Sequence, residues 1–455
     1  LIKMIGWIIV TVHFVVVWFA VIQSIREKKM RAAGLFSLAC LPSILIGILL
    51  LSPESEIRNI ILVIYIVFSA LLFIIIFLPF PSKSKLNKSD EIQRVDERDA
   101  VFHRFYRLRK GTPEWDSYYN EHPELLKPDQ DIRTMPQLQA TGSKTYDPIT
   151  SQFSHAAFDI VEPLASHLDK PDENHIDQVP ISPEDATARL EGFAKHLGAV
   201  SVGTTQLNPA WIYSHNSRGP GEWGAPIELN HQWAIVIAVK MDTNMIRCAP
   251  ENTVITESAA KYAQAALIAR IVERTIRRWG YAARSHVDSN YRVMCVPVAV
   301  DAGLGEIGRH GLLITPQFGS MVRLAVITTD LPLVQAKSLH FGVQEFCQSC
   351  MKCARNCPSG SILKTEQQKI NGVNKWQINR ESCYQYWRQQ GTDCSLCIRV
   401  CPYSHPDNIL HRSVRGLLKR NRLLIKPTII LDDLLYNKKP DRNSRWPKWH
   451  RPSIG

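Results

Sequence analysis

Outside one short stretch this sequence is nearly without cysteine: of eleven in 455 residues, only Cys40, Cys248 and Cys295 lie elsewhere. Three scattered thiols build no disulfide framework, which excludes a small cross-linked scaffold. Acidic residues are also scarce, 42 against 54 Lys and Arg, for a formal net charge of +12. Residues 411–455 alone hold twelve Lys/Arg against three Asp, so most of the excess sits there. No nucleic-acid-binding motif accompanies it, and no nucleic-acid partner is expected; beside a membrane such a segment is a lipid-facing surface. No internal repeat occurs beyond the cysteine runs. Charge is missing altogether from three long runs, Ile5–Ile22, Ala32–Leu51 and about Ile60–Phe80.

Each run is long enough, or nearly so, to cross a bilayer core of about 30 Å as a helix. A cleavable leader would show one run and a small-residue cleavage site, and no twin-arginine motif occurs. The runs are therefore expected to persist as a three-helix transmembrane anchor over residues 1–82. Arg26, Lys28, Lys29 and Arg31 follow the first run, and Lys83, Lys85 and Lys88 follow the third, while Glu54 and Glu56 make the intervening loop acidic. By the positive-inside rule the remainder faces the cytoplasm, on a multi-pass protein of the inner, cytoplasmic membrane. His13 has no second intramembrane histidine with which to share a haem, so a helix–helix hydrogen bond is its expected use. Glu54 and Glu56 read as a solvated turn, with quinol proton transfer as the alternative.

What the chain has in concentration is the stretch Phe346–Pro406. Cys347, Cys350, Cys353 and Cys357 stand as C-x2-C-x2-C-x3-C before a proline. Cys394, Cys397 and Cys401 repeat its second half, again before proline, and Cys383 lies eleven residues ahead of Cys394. Two-residue spacers let a tight loop aim three sulfurs at one cube, and in two-cluster proteins the fourth cysteine of a run ligates the other cluster. The expected sets are Cys347, Cys350, Cys353 with Cys401, and Cys383, Cys394, Cys397 with Cys357, holding two 4Fe-4S clusters. Zinc would require paired Cys-x-x-Cys knuckles, not a triple with a trailing Cys-Pro.

Between anchor and cysteines, residues 83–150 read as a linker and wrapping arm with short helices near 95–109 and 114–121. Patterned α/β sequence occupies 151–340, a ferredoxin-like iron–sulfur module 341–410, and a basic C-terminal tail 411–455. Helices are expected over Pro183–Leu197 and Glu257–Trp279, and strands over Ala199–Val202, Trp233–Met241, Val293–Val300 and Val322–Thr328. Asp301–Gly319 is glycine-rich, and Gly303, Gly305 and Gly308 fit a dinucleotide-loop spacing. No acidic residue closes a following strand at the right place, so that match is weak. The α/β block is expected to contain whatever uses the electrons.

The order of these pieces carries a resemblance. Gly303-Leu304-Gly305-Glu306-Ile307-Gly308-Arg309-His310-Gly311, then Phe318-Gly319, Val322-Arg323 and Thr329-Asp330-Leu331-Pro332, then the cysteine runs, resembles the corrinoid- and iron–sulfur-dependent reductive dehalogenases. It extends to Gly111-Thr112-Pro113-Glu114 in the arm and to Leu431-Asp432-Asp433-Leu434-Leu435, spanning roughly residues 95–440. The resemblance implies a nitroreductase-like α/β corrinoid-binding domain and a base-off cobamide of the cobalamin type. No Asp-x-His-x-x-Gly motif is present, so histidine ligation of cobalt is not indicated. It implies replacement of a carbon-bound halogen by hydrogen, with Tyr262 as proton donor, Arg323 as its cation and Asn290 as a hydrogen-bonding partner. Gly303, Leu304, Gly305, Gly308 and Arg309 are the implied cofactor-binding residues. Trp211 and Tyr213 are candidate cavity aromatics, whereas Trp279 and Tyr281 are expected to cap a helix against the core.

Exported members of the family carry a twin-arginine signal and pair with a separate three-helix protein; here the helices are fused ahead of the enzyme. The expected partners are a small organohalide, membrane lipid, and an electron donor that is quinol or a ferredoxin or flavodoxin. Two alternatives stand beside this. An epoxyqueuosine-reductase-like corrinoid enzyme would use Asp288 as proton donor, and a membrane electron-transfer subunit would do no chemistry of its own.

Overall fold

The structure is a computed structural model that describes residues 2–80, 92–166, 168, 177–441 and 446–450. Lys83, Lys85 and Lys88, and the anchor boundary expected at 82, lie outside the described residues. The chain divides into two units, Leu1–Ser84 with Pro406–Pro440, and Lys85–His405 with Asp441–Gly455.

The first unit contains three helical stretches long and apolar enough to cross a membrane, Ile2–Arg26, Met30–Leu51 and Glu56–Phe77. The second is broken between Ala39 and Leu41, where Pro42 has no amide hydrogen to donate back to Leu38. Val10, Leu50 and Leu62 form the bundle's small core, and Gly6 lets Leu50 approach closely. His13 Nδ1 meets Tyr65 Oη at 2.7 Å across the bundle, the helix–helix bond expected of it. Glu54 pairs with Arg58 at 3.1 Å and is otherwise solvated. Most of the expected basic tail also belongs here: helices Ile409–Arg420 and Ile425–Tyr436 pack on the ends of the spans.

The second unit is built on an antiparallel sheet. In chain order its strands are β1 (Ser201–Gln206), β2 (Trp233–Lys240), β3 (Ala283–His286), the short pair β4 (Glu306–Ile307) and β5 (Leu313–Ile314), and β6 (Val322–Thr329). The main sheet runs β1-β2-β6-β3, with Ile235 opposite Ile327 and Val236 opposite Val326. Side chains alternate across a pleated strand. Ile235, Ile237 and Ile327 therefore pack under helices Pro183–His196 and Thr253–Arg278, and Ala234, Val236 and Val326 pack on the opposite face. Both faces are covered, which is why β2 reads as a nearly unbroken apolar run. Trp279 and Tyr281 pack at the edge of the first layer.

One expected strand is a helix. Val293–Val300 is rich in β-branched residues, yet Cys295–Asp301 is helical, because Pro297 cannot donate to a ladder but is tolerated in a helix's first turn. Conversely, β3 carries Arg284 and His286, both buried, and shows no apolar alternation to announce it. The arm is more helical than expected, adding Pro123–Arg133 to the short helices, and a further helix, Ser151–Ala165, opens the α/β block.

The arm is held by an ion pair taken out of water. Arg104 Nε donates to Asp129 Oδ2 at 2.7 Å and its Nη2 to Oδ1 at 3.1 Å, both side chains being buried. Tyr119 Oη donates to the same carboxylate at 2.8 Å, and Arg104 also reaches Glu381 at 3.2 Å, two residues from Cys383. Removing one partner of a buried pair strands the other charge, so Asp129→Ala is expected to destabilise this unit by about 3–5 kcal/mol. The Asp129→Leu/Arg104→Met pair should recover most of that loss. Thermal midpoints of the two variants in detergent check this, and an unchanged midpoint for Asp129→Ala would remove the pair from the account.

Candidate active site and cluster-binding residues

A cavity of about 620 Å³ opens between the sheet's end and the cysteine module. One wall comes from Tyr262 on helix Thr253–Arg278 and from Arg323 near the start of β6; Trp211, Tyr213 and Tyr291 add aromatic surface. The floor includes backbone at Gly308 and Gly311, and the far side is the hairpin β7 (Gln368–Ile370) and β8 (Val373–Lys375) with Trp376–Arg380 beyond it.

Tyr262 and Arg323 meet as implied. The Arg323 guanidinium carbon lies 5.2 Å from the Tyr262 ring centroid. Burial raises the Tyr262 phenol above its ordinary pKa while Arg323 opposes the rise, so the group is a neutral acid whose anion has a cation waiting. Burial works against the charge of Arg323, but Tyr262 and Asp393 outweigh it. Arg323 Nη2 donates to Ser258 Oγ at 2.6 Å and to Asp393 Oδ2 at 3.1 Å, and Ser258 Oγ donates to the same carboxylate oxygen at 2.5 Å. Sequence reasoning did not single out Ser258, Asp393 or Tyr291. A signal existed for Ser258, which stands four residues before Tyr262 and so on the same helix face.

Other expected residues are placed differently. Asn290 does not line the cavity; its side chain accepts from Arg284 Nη2 at 2.7 Å and donates to Ala165 O at 2.8 Å. Leu304 is packed in the core. A Cβ on Gly303 would fall 2.5 Å from Lys337 O and one on Gly305 2.1 Å from Ile314 O, so these glycines serve chain packing, and Gly308 alone of the set reaches the cavity. Arg309 faces the cysteines, donating to Cys347 O at 3.1 Å and lying over Trp376 at 4.8 Å. Asp288, the acid of the alternative corrinoid enzyme, is clamped by Arg218 Nη1 at 3.1 Å and Nη2 at 3.3 Å. Trp211 and Tyr213 do line the cavity.

The cysteines of each expected set lie near one another, and the two sets also approach each other at Cys353 and Cys397. Cys347, Cys350, Cys353 and Cys401 ring one small cavity beside Arg309 and Lys352. Cys357, Cys383, Cys394 and Cys397 lie near enough to disfavour one another's thiolates, and burial is the larger reason that Cys394 is pushed up to about 12 and Cys383 to about 11. The Cys350–Cys353 and Cys394–Cys397 turns each contain a left-handed residue, Met351 at φ 51° and Ser395 at φ 50°, whereas Cys347 and Cys350 lie on one helix, Val343–Cys350. Although burial opposes it, hydrogen bonds from Ser359 and neighbouring backbone already favour the Cys357 thiolate, and the iron of a 4Fe-4S cluster would supply the positive charge that the more buried thiols need to ionise. Between the sets, Cys353 and Cys397 pack with Ile362 and Val400.

The sheet and the cavity form an α/β core beside a cysteine-rich module. Residues 346–405 match the 4Fe-4S dicluster domain and residues 224–333 the reductive dehalogenase subunit family. Among curated proteins the chain is 31% identical over 299 residues to tetrachloroethene reductive dehalogenase of Sulfurospirillum multivorans, covering 58% of this chain and 59% of that one. It is 32% identical over 215 residues to the enzyme of the same name from Desulfitobacterium hafniense, covering 45% and 38%. Among solved structures it matches the catabolic reductive dehalogenase NpRdhA in complex with 3-bromo-4-hydroxybenzoic acid, with TM-score 0.64 and 26% identity over 81% of this chain and 50% of that one. Over part of its length the chain is thus similar to the reductive dehalogenases. It spans roughly two-fifths to three-fifths of the length of these relatives.

Proposed function

We propose that this protein is a membrane-anchored reductive dehalogenase that replaces a carbon-bound halogen of a small organohalide by hydrogen. The observation that carries the reading is Arg323 lying over Tyr262 on the wall of a cavity flanked by the cluster-binding module. The reaction consumes two electrons and one proton and releases halide. A base-off cobamide, when bound, supplies the low-potential reducing centre at the halogenated carbon. Gly308 and Gly311 offer it bare backbone, and the cavity's aromatic walls offer flat apolar surface. Tyr262 gives its Oη proton to carbon, and the Arg323 charge holds the phenolate that remains. Ser258 and Asp393 keep Arg323 in place. Halide departs into a cavity whose lining includes Arg323, Lys375 and Arg380 and, among the described residues, no Asp or Glu.

Cys347, Cys350, Cys353 and Cys401 would hold one 4Fe-4S cluster and Cys357, Cys383, Cys394 and Cys397 a second, and such clusters would supply the electrons one at a time. Asp393, directly before Cys394, joins the second set to the acid's cation. Arg26, Lys28, Lys29 and Arg31 favour a cytoplasmic position for the end of the bundle to which they belong, and with it the catalytic unit. The test is anaerobic purification, reconstitution with iron, sulfide and cobamide, and measurement of cobalt, iron and halide release with a reduced viologen as electron source. About eight iron atoms and one cobalt per chain are expected, with halide released. Iron without capacity for cobamide would overturn the reading in favour of an electron-transfer subunit.

A further inference from the structure

Helices Ile409–Arg420 and Ile425–Tyr436 form a hairpin whose outward face is apolar where a soluble protein would be charged. In the second helix Ile430, Leu431 and Leu434 share one face and are 67%, 52% and 46% exposed, while Asp432 is buried. Leu423, in the connecting turn, is also exposed. An outward stripe of this kind costs free energy in water and marks an interaction surface. Around it Lys419, Arg420, Arg422 and Lys426 are all exposed.

The hairpin is pinned to the ends of the spans. Glu27, in the turn after the first span, takes hydrogen bonds from Asn408 Nδ2 and, at 3.0 Å, from His411 Nε2. Asn421 Nδ2 donates to Ile75 O at 2.6 Å, and the Arg422 amide donates to Phe80 O at 2.8 Å, at the end of the third span. Arg31 Nε donates to Leu434 O at 2.7 Å at the start of the second. These attachments are at the end of the bundle that carries Arg26, Lys28, Lys29 and Arg31. Exposed Phe77 and Phe80 continue the apolar surface from the third span toward the hairpin.

We propose that the hairpin is a monotopic element whose occupant is an anionic bilayer surface. Ile430, Leu431 and Leu434 enter the boundary between headgroups and acyl chains, and the four cations lie among anionic headgroups. The chain would then be held to the membrane at two places in its sequence, before and after the catalytic unit. The inference rests on the spanning reading of the three helices.

The experiment uses the full chain in lipid nanodiscs with a fluorophore on Leu431→Cys, and the unsubstituted chain labelled in parallel as background. Leu72→Cys on the third span is the lipid reference and Lys195→Cys the aqueous one. The Leu431 label is expected to be quenched by acyl-chain nitroxide lipids to at least half the extent of the Leu72 label, and to resist aqueous iodide. Quenching should rise at least twofold when phosphatidylglycerol replaces part of the phosphatidylcholine. Gln at Arg420, Arg422 and Lys426 together should abolish that rise. Iodide access equal to that of Lys195→Cys would overturn the proposal. So would protection from both quenchers, which would mean a protein cover, and so would indifference to anionic lipid. If Leu72→Cys itself escapes lipid quenching, the spanning reading has failed instead.

Discussion

Tyr262→Phe is expected to lower halide release by about 10²–10⁴-fold, the range a positioned general acid contributes. The substitution removes one oxygen and its proton and keeps the ring beneath the Arg323 guanidinium. Iron content and cobamide binding should therefore be unchanged, and the loss should appear in kcat rather than in KM. Tyr213 and Tyr291 also line the cavity, but neither has a cation over its ring among the described residues. Burial holds the Tyr262 pKa above its ordinary value of about 10. The acid is thus fully protonated at neutral pH, and no loss of rate from its ionisation is expected as pH rises to about 9. Arg323→Gln removes the charge that offsets burial; the phenolate becomes harder to form, so the rate should fall although Tyr262 stays protonated. Unchanged halide release by Tyr262→Phe would remove it from the mechanism.

The second large effect concerns which cysteines belong together. Cys347→Ala and Cys401→Ala, fifty-four residues apart, are each expected to lower iron from about eight to about four per chain, and the double variant should lose no more. Cys357→Ala and Cys383→Ala should behave as a second such pair. Combining Cys347→Ala with Cys357→Ala, neighbours in one run, should remove nearly all the iron. Those two single variants should also leave different electron paramagnetic resonance signals. If Cys347→Ala/Cys357→Ala retained half the iron, each run would hold its own cluster and the crossed assignment would fall. Circular dichroism of each variant distinguishes cluster loss from loss of the fold.

The cysteine spacings were legible because cluster chemistry imposes short, regular intervals, and only the fold sets Cys401 on the same small cavity as Cys347. The three spans were legible because a bilayer demands long uncharged runs. Tyr262 and Arg323 came from a resemblance, and only folding brings them together. Asn290 shows the limit of such transfer, since its amide is spent on Arg284 and Ala165. The glycines at 303 and 305 misled for a related reason: close approach of backbone to backbone and of backbone to ligand ask for the same residue. Val293–Val300 failed because local β propensity lost to one proline.

By itself, then, the sequence determined the covalent chemistry of this protein. Thiolates spaced for clusters and charge-free helices are properties of composition and order. Tertiary structure decided what those groups face. It set Ser258 and Asp393 behind Arg323, turned Arg309 toward the cysteines, and folded the C-terminal helices onto the spans with Ile430 and Leu431 outward. Burial, orientation and neighbours at long sequence separation arise only when distant segments pack, and no local pattern encodes them.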